Sequence, residues 1–569
     1  MFKSANRPPG MSSGHPPVPT PSLTVEVVAV NGEPAASRRQ WAEDLRAWLR
    51  RHSRVANFGA MVRAVVAPPS AVATRARLKL SGTLTERRRT LWALGGCLLL
   101  VLLLRVPYLS TPLGRDEGGI AYVASHWSSG GGSLYGTYWL DRPPLLVGLY
   151  KIAVLGGDRG VRALGALAAL ALVAGIALLG RAVGGPRTGR IAGLLAAMLA
   201  GSVSIQAVYT PGELLAAVPS TLSVLCLVLA HRSRQARFII AAGALSVGAA
   251  LVKQSFLDAG VAGVAFLAVS VALDREVRLR WPLAYAAGAA VPFGALLIWL
   301  VAAQLSLGTF VYTLFGFRLD LLHTLAASDI PLHVRLAELE EPAWDSGLLL
   351  VLAVAVVGLY HLRRDRVLAV TFIAWLSAAT VGVLGGGSYF AHYLIGLVPV
   401  GCVAAAVVIA AARTPICVAM LGAFAALALT TAYDGAAQVA NHTPHRRELA
   451  VGRYVRDHAR PGDTQYVLYA RANVVYYAGL PQPYPYLWSL MVRVRPGARA
   501  ELRRLLASNR RPTWLVQWHD AGRWQLDPGG GTNRLLARGY RLAAFVCDLP
   551  IYVRNDHPAP PRLTLTACR

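Results

Sequence analysis

Long apolar stretches recur through the middle of the chain, and they constrain its fold more than any other feature. Eleven runs have the character of a membrane helix, at approximately 92–108, 163–180, 191–210, 213–230, 238–252, 257–273, 283–303, 346–360, 367–384, 394–412 and 415–432. A spanning helix needs about 20 apolar residues, somewhat fewer when polar ends reach the interface. Lipid offers no partner to backbone amides and carbonyls, so such runs must be helical. Of the 569 residues 55% are hydrophobic and only 15% charged, against roughly 25% charged in a soluble domain, and the mean hydropathy is +0.45. A single large soluble core does not explain this, because soluble domains split beyond about 250–300 residues and each needs a charged surface. An ordinary cytosolic enzyme is excluded.

A twelfth apolar run, Pro143 to Gly157, decides the orientation of everything after it. Arginine excess marks cytoplasmic loops. With this run left out, Arg87–Arg89, Arg181/Arg187/Arg190, Arg232/Arg234/Arg237, Arg275/Arg278/Arg280, Arg363/Arg364/Arg366 and Arg413 all fall on one side. The short loops opposite, near 209–212, 253–256 and 385–393, hold Lys253 as their one cation. As a helix the run would cover only about 22 Å, and it reads as a helix lying in the interface. Eleven spans then predict a cytoplasmic N-terminus and an extracytoplasmic C-terminus. The net charge of +28, from 57 basic and 29 acidic residues, would suggest nucleic acid in a soluble protein. In a membrane chain it need not, and no nucleic-acid partner is expected.

Three parts follow. Residues 1–90, rich in Pro, Ser and Arg with one helical pattern near Trp41 to Leu49, are expected to form a largely disordered cytoplasmic arm. The first apolar stretch begins only at Leu91, too late for a cleaved signal, and is expected to be retained. Residues 91–433 form the transmembrane part, with a large outer loop at about 109–162. Residues 434–569 return to soluble composition, with helical patterns at 446–458 and 498–508 and strand patterns at 464–470, 513–518, 542–546 and 551–554. That predicts a small extracytoplasmic α/β domain. Six cysteines show no CxxC spacing, so a zinc or iron–sulfur site is not expected. Cys547 and Cys568 either pair in the oxidising compartment or leave a free thiol in the tail.

Charged residues gather at one face. The outer loop contains Arg115-Asp116-Glu117 just after the first span and Asp141-Arg142-Pro143-Pro144 just before the interfacial helix. Opposed carboxylates and cations at that depth suit a lipid phosphate carrying a polar head. Alone, such residues equally cap helices and solvate a loop. Convergence weakens that second reading, since Glu213 after Pro211-Gly212, Lys253 with Gln254, His323 and His392-Tyr393 mark further outer-facing helix ends. Glycines 130–132 and 385–387 lack the strand–turn–helix context of a nucleotide loop and read as turns. The segment 304–345, with Phe310, Phe315, Phe317, Arg318 and His323, is either an interfacial cover for the site or a plain amphipathic connector.

Taken in order, Asp116-Glu117, Tyr122, Asp141-Arg142-Pro143-Pro144-Leu145, Arg162 at the head of the next span, and His392-Tyr393 followed by Pro399 resemble a known family. It is the polyprenyl-phosphate-sugar-dependent glycosyltransferases of the GT-C fold, specifically the family 39-like group of protein O-mannosyltransferases and the lipid A aminoarabinose transferase. The resemblance covers roughly residues 91–433. Arg142 stands where Lys is usual and Glu213 where Asp is common; Arg replaces a point charge with a planar fork, in a chain that has only four lysines.

The resemblance implies a polytopic α-helical membrane protein of the plasma membrane that moves mannose, arabinose or a related sugar, with inversion. The donor would be a polyprenyl monophosphate, and the acceptor an envelope glycan, lipid or protein outside the cell. A phosphate leaving group is already a stabilised anion, so the chemistry needs a base and cations rather than a general acid. Asp116 is the expected base, and Glu117 orients the acceptor or supports the loop. Arg142 binds the lipid phosphate, with Asp141 orienting it or contacting the sugar. Lys253 is a second phosphate cation or a snorkelling lysine. Glu213 is a sugar ligand or a helix N-terminal acid, and His392 and Tyr393 bind phosphate or sugar or form a packed interfacial pair. Some GT-C enzymes use a divalent cation near the Asp-Glu motif and this group mostly does not, so no cofactor is assigned and a divalent cation stays as the minor alternative. A competing class is a lipid-linked glycan transporter or flippase, whose marks, repeated halves and ionisable residues near the midplane, are not seen here. A purely structural membrane protein would leave the motifs unexplained. The Ala and Arg bias points to the envelope of a high-GC, actinobacterial cell.

Overall fold

The computed structural model describes residues 84–127, 133–274, 279–326, 331–441, 444–469, 471–558 and 563–565. The helical pattern near Trp41, glycines 130–132 and Cys568 lie outside these residues. All eleven apolar runs contain a helix. By length and composition, seven stretches among the described residues suffice to cross a bilayer, and Leu348–Leu362 adds an eighth when joined to Leu332–Asp345 across an 82° bend. The others are shorter: Pro186–Ala200 has 15 residues, Ala236–Val252 17 and Asp258–Leu273 16. Unwound segments, 201–211 and 253–257, follow two of them and are mostly buried within the protein. These unwound segments prove to carry site residues.

The run at 143–157 becomes a helix, Pro144–Ala153, then a 3-10 turn, Val154–Gly156. Gly157, with φ of 58°, opens the long helix Gly157–Gly184. As one straight helix the 41 residues from Pro144 to Gly184 would run about 60 Å, twice the hydrocarbon layer. Only a residue without a Cβ adopts that left-handed backbone cheaply. Outward-facing positions on the bundle, such as Leu99, Leu103, Leu283, Val291, Ile298 and Val301, are exposed and apolar, as contact with acyl chains requires.

The segment 304–345 is helical throughout most of its length. Leu307–Val311 leads through a π-helical turn, Tyr312–Gly316, into Phe317–Ala326, and Leu332–Asp345 follows. Phe317 is fully buried and meets the Trp139 ring edge-on at 4.9 Å. The stretch therefore covers one side of the outer loop instead of merely connecting two spans.

Beyond Thr414–Asn441, a five-stranded sheet forms in the order β1 (Gln465–Leu468), β2 (Trp514–Gln517), β4 (Leu549–Arg554), β3 (Tyr540–Val546) and β5 (Leu563–Leu565). β1 runs parallel to β2 and β3 parallel to β5, while β4 is antiparallel to both its neighbours. Helices Arg446–His458 and Ala498–Ala507 match the sequence pattern within a residue. Ala472–Ala478, Ser489–Val494 and Gly531–Gly539 were not legible, being too short for a helical period to register. Cys547 is disulfide-bonded, and Cys97, Cys226, Cys402 and Cys417 are free thiols.

This α/β part docks on the outer loop. The Tyr122 hydroxyl donates to the Leu480 carbonyl at 3.0 Å and accepts from the Gln482 amide at 2.9 Å. Asn473 Nδ2 donates to the Leu113 carbonyl at 3.1 Å. Gly118 and Gly119 permit the approach, because a Cβ at either would collide with Asn473 or with Ala472 and Trp488.

Candidate active site

Helix Arg115–His126 begins at Gly114, whose amide donates to Glu117 Oε2 at 2.8 Å. The other Glu117 oxygen accepts from Arg162 Nη1 at 2.5 Å and from the Thr210 amide at 2.7 Å. Arg162 also donates to the Pro112 carbonyl at 2.8 Å and lies over the Tyr209 ring. One buried ion pair thus ties the loop after the first span, the head of the second long helix and the unwound segment 201–211. Adjacent helical residues point about 100° apart, so Asp116 is directed elsewhere. Its Oδ1 accepts from Trp488 Nε1 at 3.0 Å.

Asp141 lies between two guanidiniums. Arg142 Nη1 is 2.6 Å from Asp141 Oδ1, and Arg318 pairs with Oδ2. The backbone is held as well: Gln254 Nε2 donates to the Asp141 carbonyl and the Tyr135 hydroxyl to that of Arg142, each at 2.8 Å. Pro144 then opens the next helix, where its missing N–H costs nothing. Across the site Lys253 Nζ sits 2.7 Å from Glu213 Oε1 and over the Tyr393 ring. His392 contacts Gln206 Oε1 through Nδ1 at 2.9 Å, with Nε2 3.8 Å from Glu213.

These groups enclose a polar cavity of about 330 Å³, lined among others by Asp116, Glu117, Arg142, Glu213, Lys253 and His392. A second cavity of about 100 Å³ abuts it and shares Asp116 and Arg142, adding Asp141, Arg318, Tyr393 and Trp488. Asp116, Glu117, Asp141, Arg142, Glu213, Lys253, His392 and Tyr393 therefore each reach one of two adjoining spaces, and Asp116 and Arg142 face both. Burial pushes the Asp116 carboxyl up, but the charges of Arg115, His392, Arg142 and Lys253 outweigh it and hold it below the usual carboxylate range. Asp141 is likewise lowered against its burial by Arg142 and Arg318. Burial pushes the Arg142 guanidinium down, yet Asp141 carries it above its ordinary value. Burial, aided by Arg142 and Arg318 against Glu213, lowers Lys253 to about 8.

Lys253 is 4% exposed and points inward, so it is not a snorkelling lysine. Glu117 contacts backbone amides and Arg162 as a loop brace does. His323, from the same helix as Arg318, is absent from both linings. Glycines 385–387 form a turn, with Gly387 at φ of 66°. Among the described residues no group of three His, Cys, Asp or Glu could hold a metal ion. Glu117, Asp141 and Glu213 are each paired with a cationic side chain, whereas Asp116 has no ion pair among the described residues.

Several lining residues were invisible to sequence reading. Arg115 and Arg318 appear in the sequence only beside motif or aromatic residues, with no partner indicated, and Gln206 and Tyr209 fall within the apolar run 191–210. Trp488, His445, Glu448 and Arg471 come from the α/β part, which carries no recognisable motif. The Gly118-Gly119 pair on the facing helix was the one hint that something docks there.

A helical bundle with unwound helix ends around a charged cavity, roofed by a small α/β part, defines the class: a polytopic membrane protein of the GT-C fold. No protein-family model and no curated protein sequence matches the chain. Solved structures do match. ArnT from Cupriavidus metallidurans in the apo state aligns with a TM-score of 0.59 at 14% identity, over 84% of this chain and 100% of that one. ArnT bound to undecaprenyl phosphate gives 0.58 at 14% identity, over 83% and 99%. The apo oligosaccharyltransferase of Archaeoglobus fulgidus gives 0.50 at 13% identity, over 84% and 76%. The resemblance first drawn from the motifs holds at the level of the fold.

Proposed function

We propose that the protein is a membrane glycosyltransferase that moves a sugar from a polyprenyl monophosphate to an acceptor on the extracytoplasmic side. The observation that carries this reading is the meeting of Asp116 with Arg142 and Lys253 around one polar cavity. The fold supports it, since ArnT of that fold has been solved with undecaprenyl phosphate bound.

In this reading the acceptor hydroxyl or amine attacks the anomeric carbon as Asp116 takes its proton. The bond from that carbon to the phosphate oxygen breaks on the opposite face, so configuration inverts. The electron pair leaves on the phosphate, held by the fork of Arg142 and the ammonium of Lys253. Asp141, shared with Arg318, keeps Arg142 in place. Glu213 and His392 flank the sugar, and Tyr393 closes the wall. The sugar is mannose, arabinose or a relative, and the acceptor an envelope glycan, lipid or protein. We place the N-terminus in the cytoplasm and the α/β part outside, on the strength of the arginine-rich loops.

The test is turnover of purified protein against a panel of polyprenyl-phosphate sugars. Asp116→Asn keeps an acceptor for Trp488 but is a poor base, and is expected to lose about 10²–10⁴-fold in rate. Full turnover by that variant would remove Asp116 from the role. A wild type that consumes no donor yet moves the lipid between leaflets of a vesicle is a flippase instead.

A further inference from the structure

The α/β part carries a groove that the reaction just described does not use. Its volume is about 530 Å³, and it is lined by Arg493, Arg495, Arg499, Arg503 and Arg534, together with Gly497, Ala500, Gly529 and Gly531, and by no acidic side chain. Among the described residues none of the five guanidiniums forms an ion pair. Arg499 and Arg534 donate only to the Gln525 and Gly529 carbonyls, at 3.0 Å and 2.6 Å. Arg495 lies over the rings of Trp139, Tyr312 and Tyr486, and its Nε is buried without a partner.

Arg499 and Arg503 sit one turn apart on helix Ala498–Ala507, on the same face. Arg499 and Ala500 line the groove from the first turn of that helix, and their amides have no acceptor among the described residues. Helix Gly531–Gly539 also starts at the groove, but Asp527 caps it through the Thr532 and Asn533 amides, so its end is already satisfied. Five mutually repelling cations around a helix N-terminus lower the stability of the fold unless an anion enters.

The groove is wired to the reaction cavity. Helix Ser489–Val494 has Trp488 at its N-cap, touching Asp116, and Ser489 to Met491 line the smaller cavity. Its other end delivers Arg493 to Arg495 into the groove. Six helical residues span about 9 Å, which sets the separation of the two sites.

We propose that this groove docks the anionic portion of the acceptor: a glycan or head group carrying two or more phosphate groups, held so that a hydroxyl further along reaches Asp116. The inference rests on the glycosyltransferase reading for what happens at Asp116, but not for what binds at the arginines. Guanidinium forks pair bidentately with phosphate oxygens, and a space of this size admits two such groups.

The experiment measures binding of tripolyphosphate to full-length protein in zwitterionic nanodiscs, by calorimetry and by the shift in thermal midpoint. Expected is saturable, salt-sensitive binding that Arg493→Gln/Arg503→Gln weakens at least tenfold and Arg142→Ala leaves intact. Among the described residues neither the Arg493 nor the Arg503 side chain makes a hydrogen bond, so the double variant without ligand should melt no lower than wild type, which controls for folding. In turnover the double variant should raise KM for a phosphorylated acceptor with kcat unchanged. Binding that the double variant leaves as tight as in wild type, or that is lost in Arg142→Ala, would overturn the proposal. So would stabilisation by anionic lipid in the nanodisc with no response to tripolyphosphate, which assigns the groove to the membrane surface. Groove binding in a protein that transfers no sugar would sink the glycosyltransferase reading and leave the anion site standing.

Discussion

Glu117 stands beside the proposed base, and its surroundings predict what removing it does. Its side chain and that of Arg162 are 6% and 1% exposed, with Nη1 and Oε1 2.5 Å apart. Glu117→Ala strips the partner from a buried guanidinium, which typically costs about 3–5 kcal/mol. The Gly114 and Thr210 amides also lose their acceptor, at about 1–3 kcal/mol each if no water replaces it. The cavity alongside is polar, so water is expected to recover most of that second loss. The net expectation is about 4 kcal/mol. Replacing both partners, Glu117→Met with Arg162→Met, removes the charge problem and should recover most of the loss, because apolar replacements of a buried pair are often neutral. A coupling energy of at least about 2 kcal/mol in the double-mutant cycle is expected. The measurement is denaturant unfolding in micelles, followed by tryptophan fluorescence, with turnover read on the same samples. If Glu117→Ala costs under about 1 kcal/mol, the pair is not the brace described. If the double variant regains stability yet stays more than about a hundredfold slow, Glu117 takes part in the reaction itself.

Two predictions concern pH. Trp488→Phe removes a hydrogen bond to the ionised form of Asp116, so the carboxyl titrates higher and the acid limb of kcat/KM moves to higher pH; a limb that stays put or moves down contradicts this. Lys253 sits at about 8, and its protonated form binds phosphate, so donor affinity should fall as pH rises through 8. Lys253→Met should bind donor about 10–100-fold more weakly at pH 7, the value of one charge-assisted bond, and should lose that alkaline fall. Retention of it would place the titration on another group.

The positions of the helices were legible because lipid imposes a single solution on an apolar run: every backbone group satisfied within its own helix. The motif carboxylates and Arg142 were legible from their order along the chain, which resembles a known family, since each alone equally caps a helix or solvates a loop. Arg318 was visible in the sequence but not its partner, since nothing local says that residue 318 meets residue 141. Lys253 read equally as a surface lysine until the unwound segment 253–257 turned it inward to Glu213.

What the sequence determined by itself was the number and place of the apolar segments, the α/β composition beyond residue 433, and a carboxylate and a cation, Asp116 and Arg142, that line one cavity. Tertiary structure alone decided that Trp488, His445, Glu448 and Arg471 complete the cavity and that five arginines from three separate stretches form one groove. The physical reason is range. Periodicity and hydropathy are properties of neighbouring residues, whereas a cavity wall is set by which distant surfaces bury one another, and here that is settled by two adjacent glycines, 118 and 119, that let another part of the chain come close.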